Sequence, residues 1–556
     1  RRRLPLRATN ALHQLGLVAA LPGALPAVLD ALGRNGLAAL ALLGDGGVQP
    51  IVLIERQLLV TLANGDRRRG ELWLQLLQEI SGARFGAALC SGAGYRVPPG
   101  GEALLDQISA LATRTPGAAG RSAGEAELLA TYVSPSAELA GSGSGEQLAN
   151  LRHRFDVLAN RDLGERVARA ARDRLHLDEL RASLGERTAV LQLVALPSTS
   201  GTTMVAAIWV TDAGLVFDAT QSSFEVADPT LPGATSPEPG GGERAPLSPL
   251  GAHVLRLRAL LMQPRDGPLP ASVEAAAVLE ADLERLVPPA CLAALAAARA
   301  NGLDHLLVVP HGPLHYYPLH LLGRPAAALC DTWKVSYLPT LAALAPRRTP
   351  GLVAAGRSPM CAIGLGFEGR ADVAVKLAAA VEQAEEIAAI FGTEPLPEAE
   401  ATKGRVIAAL RSSRRVHLAT HGRNSVTAPS FQSLLLTPGG GSSGGELAAW
   451  ELGDLDLRGL EILTTAACET GLGRFDELDN LRGLPASLYL AGVQSIATTL
   501  WPVGVESSRL FFRTFYSSLH EGASRIDAFA AAQGETRRHY PEYRSWGGYT
   551  LSGSWS

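Results

Sequence analysis

Short apolar runs recur along the second half of the chain, and stretches with helical spacing of their apolar residues separate them. Apolar runs bounded by turn residues are typical of buried β-strands, and strands that alternate with helices are typical of a parallel sheet covered on both faces. The runs are LLVVP at 306–310, CAIGLGF at 361–367, RVHLAT at 415–420, LEILTTAAC at 460–468 and VQSIATTLW at 493–501, with a helical segment at 377–391. The pattern predicts an α/β fold with a mostly parallel sheet flanked by helices.

The middle of the chain continues this pattern with longer elements. LRHRFDVLANRDLGERVARAARDRL has helical spacing, and TAVLQLVAL and MVAAIWVTDAGLVF are predicted to be two strands joined by a polar turn. A stretch rich in Pro and Gly at 228–249 is predicted to be a long loop, because such residues bury little surface. Helices are predicted after it, at 253–260 and 272–286.

The first third of the chain has a less regular pattern. Helical spacing is present at 25–43 and 71–80, while QPIVLIERQLLVTL at 49–62 is predicted to be a strand. No repeat of about 34 residues is visible, so a tetratricopeptide array is not predicted. PSAELAGSGSG at 135–145 has the composition of a linker and indicates a domain boundary.

Composition and charge narrow the classes of function. The 556-residue chain has a net charge of -4 and is 47% hydrophobic, which favours neither nucleic acid nor an anionic membrane as a partner. No apolar run is long enough to span a membrane, and the basic N-terminal segment lacks the apolar core and cleavage site of a signal peptide. The five cysteines form no CxxC pair and no metal-ligand spacing with histidine, so neither a disulfide framework nor a zinc site is predicted. No cofactor is expected. We therefore expect a cytoplasmic protein.

Two of the predicted strands end in residues that can perform nucleophilic chemistry. RVHLAT leads into His421 and Gly422, and LEILTTAA leads into Cys468. Because the carboxyl ends of parallel strands meet at one edge of a sheet, these side chains are expected to lie close together. A cysteine there can attack a carbonyl while the histidine takes its proton, and a histidine about fifty residues upstream is typical of caspase-type enzymes. The backbone N–H groups of Gly422 and Cys468 are the expected oxyanion donors.

The segments VHLATHG and TTAACETGLG together resemble the CHAT family, relatives of caspases and separases. Further segments agree with that family in order: LLVVPHGPLHYYPLHLL, WKVSYLPTLAAL, FQSLLLT, ELAAWEL, SIATTLWPV and FFRTFYSSL. The resemblance implies a caspase-like cysteine peptidase with His421 as base and Cys468 as nucleophile. It also implies a protein substrate, an activating partner or ligand, and a regulated role in bacterial stress, cell-death or antiphage pathways.

The linker composition at 135–145 and the resemblance over residues 170–556 together predict a domain organisation. We expect an N-terminal domain at 1–134, with sensing or partner binding as candidate roles, then a linker and connecting helix at 135–169. A CHAT domain is expected at 170–556, with a pseudo-caspase-like part at 170–350 and a catalytic part at 351–556. Glycine-rich loops at 439–445 and 471–479 border the catalytic segments and are expected to gate the site, because such connections rearrange easily.

Acidic residues close behind the nucleophile are candidates for the substrate pocket. They are Asp476, Glu477 and Asp479. A carboxylate in the first pocket would favour a basic P1 residue through a charge-assisted hydrogen bond, and the alternative is a solvated acidic loop. Trp501, in the WPV segment, is predicted to wall the peptide groove.

Other histidines have simpler interpretations than catalysis or metal binding. His417 falls inside a predicted strand, which favours a packed structural histidine. His311, His315 and His320 share one turn, but no nearby cysteine or acid completes a metal-ligand set, so a structural or rim role is predicted.

Two glycine motifs and one other class of function compete with the peptidase hypothesis. Gly364, Gly366 and Gly369 follow a strand as in part of a dinucleotide fingerprint, which would indicate an oxidoreductase, but the ribose-binding acid is not evident. GGSSGG at 440–445 contains G-x-S-x-G without the preceding strand of a nucleophile elbow. The alternative from another class is a catalytically silent CHAT-like scaffold that binds a partner.

Overall fold

The computed structural model describes most of the chain from residue 55 to residue 556. Outside the described residues lie 1–54, several positions between 56 and 82, 115–143, 171–180, 182–183, 198–201, 225–247, 263–270, 345–355, 371–372, 374, 424, 426–427, 440–444, 467–472 and 476–478. Most of the predicted loop at 228–249 and of the predicted linker at 135–145 falls in these ranges. Within the described residues, no helix combines the length and the apolar character needed to cross a bilayer.

Helices make up the regular structure described before residue 188. They are α1 Ala83–Ser91, α2 Gly101–Arg114 and α3 Ser144–Ala170. The strand predicted at 49–62 is wrong for the residues described there, since Glu55, Leu58 and Leu62 are helical. Leu58 is fully buried in an apolar cluster with Trp73, and tertiary packing of this kind overrides the β preference of Ile and Val in the same run.

A ten-stranded sheet forms the centre of the fold. The described strands are β1 Thr188–Pro197, β2 Thr202–Val210, β3 Leu215–Ser223, β4 His305–Val309, β5 Lys334–Tyr337, β6 Cys361–Gly364, β7 Arg415–Ala419, β8 Gly422–Arg423, β9 Ser433–Leu435, β10 Glu446–Ala448, β11 Ile462–Thr465, β12 Arg474–Phe475, β13 Leu481–Arg482, β14 Ser495–Thr499 and β15 Tyr549–Gly553. The order in the large sheet is β3-β2-β1-β4-β5-β15-β14-β11-β7-β6. Neighbours are parallel except in β1-β2-β3 and β14-β15, so the predicted mostly parallel sheet is confirmed.

The second of the long strand segments predicted in the middle of the chain is in fact two strands. Thr211 N donates to Gly214 O at 2.9 Å, and this turn separates β2 from β3. The sequence between the strands, TDAG, contains Asp and Gly, which favour turns, and our prediction passed over this signal. β1, β2 and β3 therefore form an antiparallel extension of the sheet.

Helices cover both faces of the sheet, as predicted. Those after α3 are α4 Pro249–Met262, α5 Ala271–Leu286, α6 Pro289–Ala300, α7 Leu329–Thr332, α8 Ala378–Ile390, α9 Lys403–Ser412, α10 Ala449–Gly453, α11 Leu484–Ala491, α12 Val505–His520, α13 Arg525–His539 and α14 Tyr543–Trp546. The two faces have separate cores: Ile496 of β14 packs in the larger one, and Ala497 packs with α8, α12 and α13 in the other. The helices predicted at 253–260, 272–286 and 377–391 are confirmed as α4, α5 and α8.

Two small sheets follow the strands that carry the candidate chemistry. β8, β9 and β10 form a three-stranded sheet after β7, and β12 pairs with β13 after β11. A 3₁₀ turn, Pro429–Phe431, joins β8 to β9. The segments after β7 and β11 are therefore partly ordered by local pairing.

Candidate active site

His421 lies directly beyond the carboxyl end of β7. Its carbonyl oxygen accepts a hydrogen bond from Leu435 N at 2.8 Å, and Thr420 Oγ1 donates to Leu435 O. Gly422 then pairs with Leu434 where β8 meets β9. The backbone is thus held by β9 on both sides of His421, while the residue itself stays only partly buried.

Two contacts fix the orientation of the His421 imidazole. Nε2 donates to the carbonyl oxygen of Val375 at 2.8 Å. Because a carbonyl oxygen can only accept, Nε2 carries the hydrogen and Nδ1 is the nitrogen able to take a proton. The ring also stacks on Phe367, with centroids 5.3 Å apart and planes at 27°. The arrangement fixes the imidazole with Nε2 bonded and Nδ1 unblocked by this contact.

Phe367 adopts a backbone conformation that is unusual for a side chain of its size. Its φ is +61°, in the left-handed region that favours glycine. Its N–H donates to Glu398 Oε1 at 2.7 Å, and Gly366 N–H donates to Oε2 at 3.1 Å. The carboxylate of Glu398 therefore holds a strained turn beneath the imidazole, and strain of this kind often accompanies functional sites.

The same turn explains the glycine motif that suggested a dinucleotide site. A dinucleotide would need the backbone N–H groups after β6 for its pyrophosphate, but Glu398 already accepts from those of Gly366 and Phe367. At Gly364 an added Cβ would lie 2.0 Å from Ala380 O. The glycine there lets α8 approach β6 closely, so the motif serves packing and the orientation of His421.

The strand that leads to Cys468 lies beside the strand that leads to His421. β11 pairs in parallel with β7, with Thr465 opposite Leu418, and Ala466 N donates to Leu418 O at 3.0 Å. Cys468 follows Thr465 by as many positions as His421 follows Leu418. The two chain segments therefore leave the same edge of the sheet side by side. Cys468 itself lies outside the described residues, so its role stays a prediction.

A cavity of about 80 Å³ borders the ends of these two strands, between α8 and α12. Thr420 and Ala466 contribute to it from the strand ends, and its described lining contains no carboxylate. The charged residue in that lining is Arg509, whose guanidinium pairs with Glu386 and, at 3.0 Å, with Glu382. The cavity is small and largely apolar.

Residues 278–554 match the family model of the CHAT domain. The chain contains a CHAT domain. The matched region includes β4 to β15 and both His421 and Cys468, whereas β1 to β3 and the N-terminal helices precede it. The domain boundaries predicted at 134, 169 and 350 stay predictions.

Known proteins similar to this chain share only part of their length with it. Tetratricopeptide repeat protein 28 of Mus musculus is 28% identical over 305 residues, which is 45% of this chain and 12% of the relative. The Homo sapiens protein of that name is 26% identical over 209 residues, which is 32% of this chain and 8% of the relative. The chain therefore spans a small fraction of these relatives.

Two solved structures resemble the fold at low similarity. The Arg-specific cysteine proteinase gingipain R is 11% identical, with a TM-score of 0.34 over 50% of this chain and 68% of the proteinase chain. The Saccharomyces cerevisiae separase–securin complex is 11% identical, with a TM-score of 0.40 over 97% of this chain and 42% of the other. Similarity at this level does not identify an activity.

Of the residues predicted to bind substrate, Asp479 and Trp501 are among the described residues. Asp476 and Glu477 lie outside the described residues. Asp479 is 3% exposed, and it accepts from Gly312 N at 3.2 Å and from His315 Nε2 at 3.1 Å. Trp501 is fully buried in the CHAT domain, where its Nε1 donates to Arg544 O at 3.1 Å. Their assignment to a substrate pocket stays a prediction.

The packed-histidine prediction for His417 is confirmed. The residue is fully buried and hydrogen-bonds Thr464 Oγ1 at 2.7 Å through Nδ1. Burial lowers its pKa to about 3, so the ring is neutral at physiological pH. His320 is similar, since burial lowers its pKa to about 4 and its ring bonds Tyr337 and the carbonyl of Gly547. In the part of the chain that the structure describes, no three His, Cys, Asp or Glu side chains are grouped to hold a metal.

Three other cysteines are described, and all three have suppressed acidity. Burial raises the pKa of the Cys291 and Cys330 thiols to about 12 and that of Cys361 to about 11. Because the thiolate is the reactive form, these cysteines are poor nucleophiles near neutral pH.

Proposed function

We propose that the protein is a cysteine endopeptidase in which Cys468 is the nucleophile and His421 the general base. The imidazole geometry of His421 is the main support. Val375 O holds the hydrogen on Nε2, so Nδ1 can accept a proton at the sheet edge from which the Cys468 segment also leaves. The CHAT family match over both residues adds to this support.

The proposed reaction proceeds through an acyl-enzyme. His421 Nδ1 takes the proton of the Cys468 thiol, and the thiolate sulfur attacks the peptide carbonyl carbon. The oxyanion accepts hydrogen bonds from the N–H groups of Gly422 and Cys468. The imidazolium then gives its proton to the leaving amine as the C–N bond breaks, and water hydrolyses the thioester with His421 again as base.

Val375 contributes to this reaction through its backbone. When His421 becomes an imidazolium, its Nε2–H bond to Val375 O becomes charge-assisted and therefore stronger. The carbonyl thus stabilises the charge that forms during proton transfer and keeps Nδ1 directed to the nucleophile. Sequence reasoning missed Val375, Phe367 and Glu398, because backbone carbonyls and turn geometry leave no residue-type signal.

We propose the cavity beside Ala466 as the pocket for the P1 side chain. Ala466 lies close to Cys468 in sequence, and the lining is largely apolar, with the Arg509 guanidinium already paired with Glu382 and Glu386, which favours an apolar P1 residue of moderate size. Asp479 lies on the other face of the sheet. Thr499 of β14 borders this cavity, while Thr498 borders a cavity with Phe475 and His315 near Asp479. A basic P1 held by Asp476 or Glu477 remains the alternative.

The substrate is proposed to be a protein, and an activating partner or ligand is proposed to order the loops at 439–445 and 471–479. A regulated role in bacterial stress, cell-death or antiphage defence is part of the same proposal and rests on the family resemblance. The alternative function is a catalytically silent scaffold that binds a partner, and the test below distinguishes it from a peptidase.

The test uses a peptidyl acyloxymethyl ketone, which labels an activated thiol, and a proteome-derived peptide library read by mass spectrometry. Cys468 should be labelled above the other four cysteines, and Cys468→Ala should abolish both labelling and cleavage. The double variant with His421→Ala should be no worse than Cys468→Ala, because nucleophile and base act as a unit. Cys361→Ala is the matched control and should retain both. Equal labelling of Cys361 and Cys468 would favour the scaffold.

A further inference from the structure

Asp156, in α3, is a buried carboxylate whose partners come largely from the CHAT domain. It is 2% exposed. Its Oδ1 accepts from Ser430 N at 2.9 Å and from Ser430 Oγ at 2.6 Å, and its Oδ2 accepts from Arg482 Nη2. Asn160, one turn further along α3, donates to Oδ2 at 3.3 Å. The carboxylate therefore has a full set of donors.

The two CHAT residues that bond Asp156 belong to the segments behind the two proposed catalytic residues. Ser430 lies in the 3₁₀ turn before β9, the strand that holds the backbone of His421. Arg482 ends β13, which pairs with β12 behind Cys468. One side chain from α3 thus contacts the segment after the base and the segment after the nucleophile.

Neighbouring contacts strengthen the same junction. Phe155, beside Asp156, packs edge-on against Phe431 at 5.3 Å and Trp450 at 5.7 Å. In α1, Phe85 N donates to Asn480 Oδ1 at 3.1 Å in a buried position, directly before β13. The N-terminal helices therefore contact both segments at several points, with Asp156 as the charged contact common to the two.

We infer that Asp156 is a positioning residue that holds the segments following His421 and Cys468 in a fixed relation to each other. Moving either segment alone would leave the Asp156 carboxylate, still buried against the other segment, without some of its donors, which is costly. The two segments should therefore be ordered together or released together. The catalytic consequence of this coupling rests on the proposed peptidase function, whereas the coupling itself does not.

Asp162 is a matched control on the same helix. Its carboxylate pairs with Arg96 Nε at 3.1 Å and with Arg166 Nε at 2.7 Å, and both arginines precede residue 188. Asp162→Asn therefore removes a comparable charge from α3 without touching either catalytic segment.

Hydrogen exchange of the whole chain tests the coupling without any substrate. Asp156→Asn should raise amide exchange at 429–431 and at 481–484 by about tenfold or more, while Asp162→Asn should leave both unchanged. Ser430→Ala removes only one bond and should give a smaller rise in both segments, which keeps the test usable if Asp156→Asn folds poorly. A change in one segment alone, or an equal effect of Asp162→Asn, would overturn the inference.

Steady-state cleavage then tests the positioning role. Asp156→Asn should lower kcat at least several-fold with little change in KM, and Asp156→Glu should restore part of the loss. An unchanged kcat in Asp156→Asn would refute the positioning role, even if amide hydrogen exchange rises in both segments. If Cys468→Ala leaves cleavage intact, the proposed function fails instead, and the exchange result is unaffected.

Discussion

Two strands of the large sheet end in a His-Gly pair, and the two pairs have different surroundings. His421-Gly422 follows β7, and His311-Gly312 follows β4. The His421 imidazole is partly exposed and oriented by Val375 O. His311 is 3% exposed, and among the described residues neither of its ring nitrogens has a hydrogen-bond partner. The same dipeptide therefore gives an accessible imidazole at one strand end and a packed side chain at the other.

The surroundings of the β4 end account for the difference. Gly312 has a φ of +60° and begins a 3₁₀ turn, and its N–H is bonded to Asp479. Glu55 Oε1 lies 3.6 Å from His311 Nε2, and burial raises the pKa of Glu55. The β4 end is thus covered by the segment behind Cys468 and by an N-terminal helical residue. A motif at a strand end becomes a candidate catalytic site only where the neighbouring strand brings a nucleophile and the end stays open.

The largest expected difference between the two ends is in turnover. His421→Ala should lower kcat/KM by about 10²–10⁴-fold, since it removes the proposed general base. His311→Ala removes no group that bonds a reacting atom and should keep most of the activity. Cleavage of the peptide library by both variants makes the comparison, and equal losses would contradict the different roles assigned to the two ends.

The second prediction concerns the contribution of the buried His311 ring at the β4 end to the free energy of unfolding. His311→Leu removes a buried ring whose nitrogens form no hydrogen bond with the described residues, but it also removes the 3.6 Å contact with Glu55, so the two effects should offset and the free energy of unfolding should change by less than about 1 kcal/mol. Urea unfolding measures it. A large destabilisation would mean that the His311 ring has a partner essential for folding.

A smaller effect is expected from the ring that supports His421. Phe367→Ala removes the stacking surface and should lower kcat about tenfold, because the base is less well oriented, with KM nearly unchanged. Phe367→Tyr keeps the ring and is the matched control. Single-turnover rates distinguish the variants, and a rise in KM alone would place Phe367 in substrate binding instead.

The sequence indicated the sheet and the strand ends because those depend on local apolar runs and turns. β4, β6, β7, β11 and β14 were each visible as short runs bounded by turn residues. The helical residues near Leu58 were mistaken for a strand, since their structure depends on burial against distant residues. Val375 and Glu398 were missed because a carbonyl and a single acid act here through tertiary proximity. Asp479 was predicted to line the substrate pocket, with a solvated acidic loop as the alternative, and its burial by contacts with the β4 end was not foreseen because it depends on tertiary proximity.

The smallest expected effect concerns specificity at the β7 end. Ala466→Val narrows the proposed P1 cavity and should reduce cleavage after larger apolar residues several-fold, with smaller ones spared. Asp476→Asn and Glu477→Gln should leave the profile unchanged. A library profile that favours Arg or Lys at P1, and that loses this preference in Asp476→Asn or Glu477→Gln, would contradict the apolar pocket and support the acidic one.

The pH dependence of Cys468 alkylation by iodoacetamide, followed by mass spectrometry, tests the central claim most directly. A neighbouring imidazolium favours the thiolate, so in the wild type the rate should reach half its maximum below the free-thiol value of about 8.5. His421→Ala should raise that midpoint to about 8.5 or higher, while His311→Ala should leave it in place. Cys361, whose pKa burial raises to about 11, gives the internal reference for an inert thiol. The proposed dyad would be contradicted if the pH midpoint of Cys468 alkylation matched that of Cys361, or if it did not change in His421→Ala.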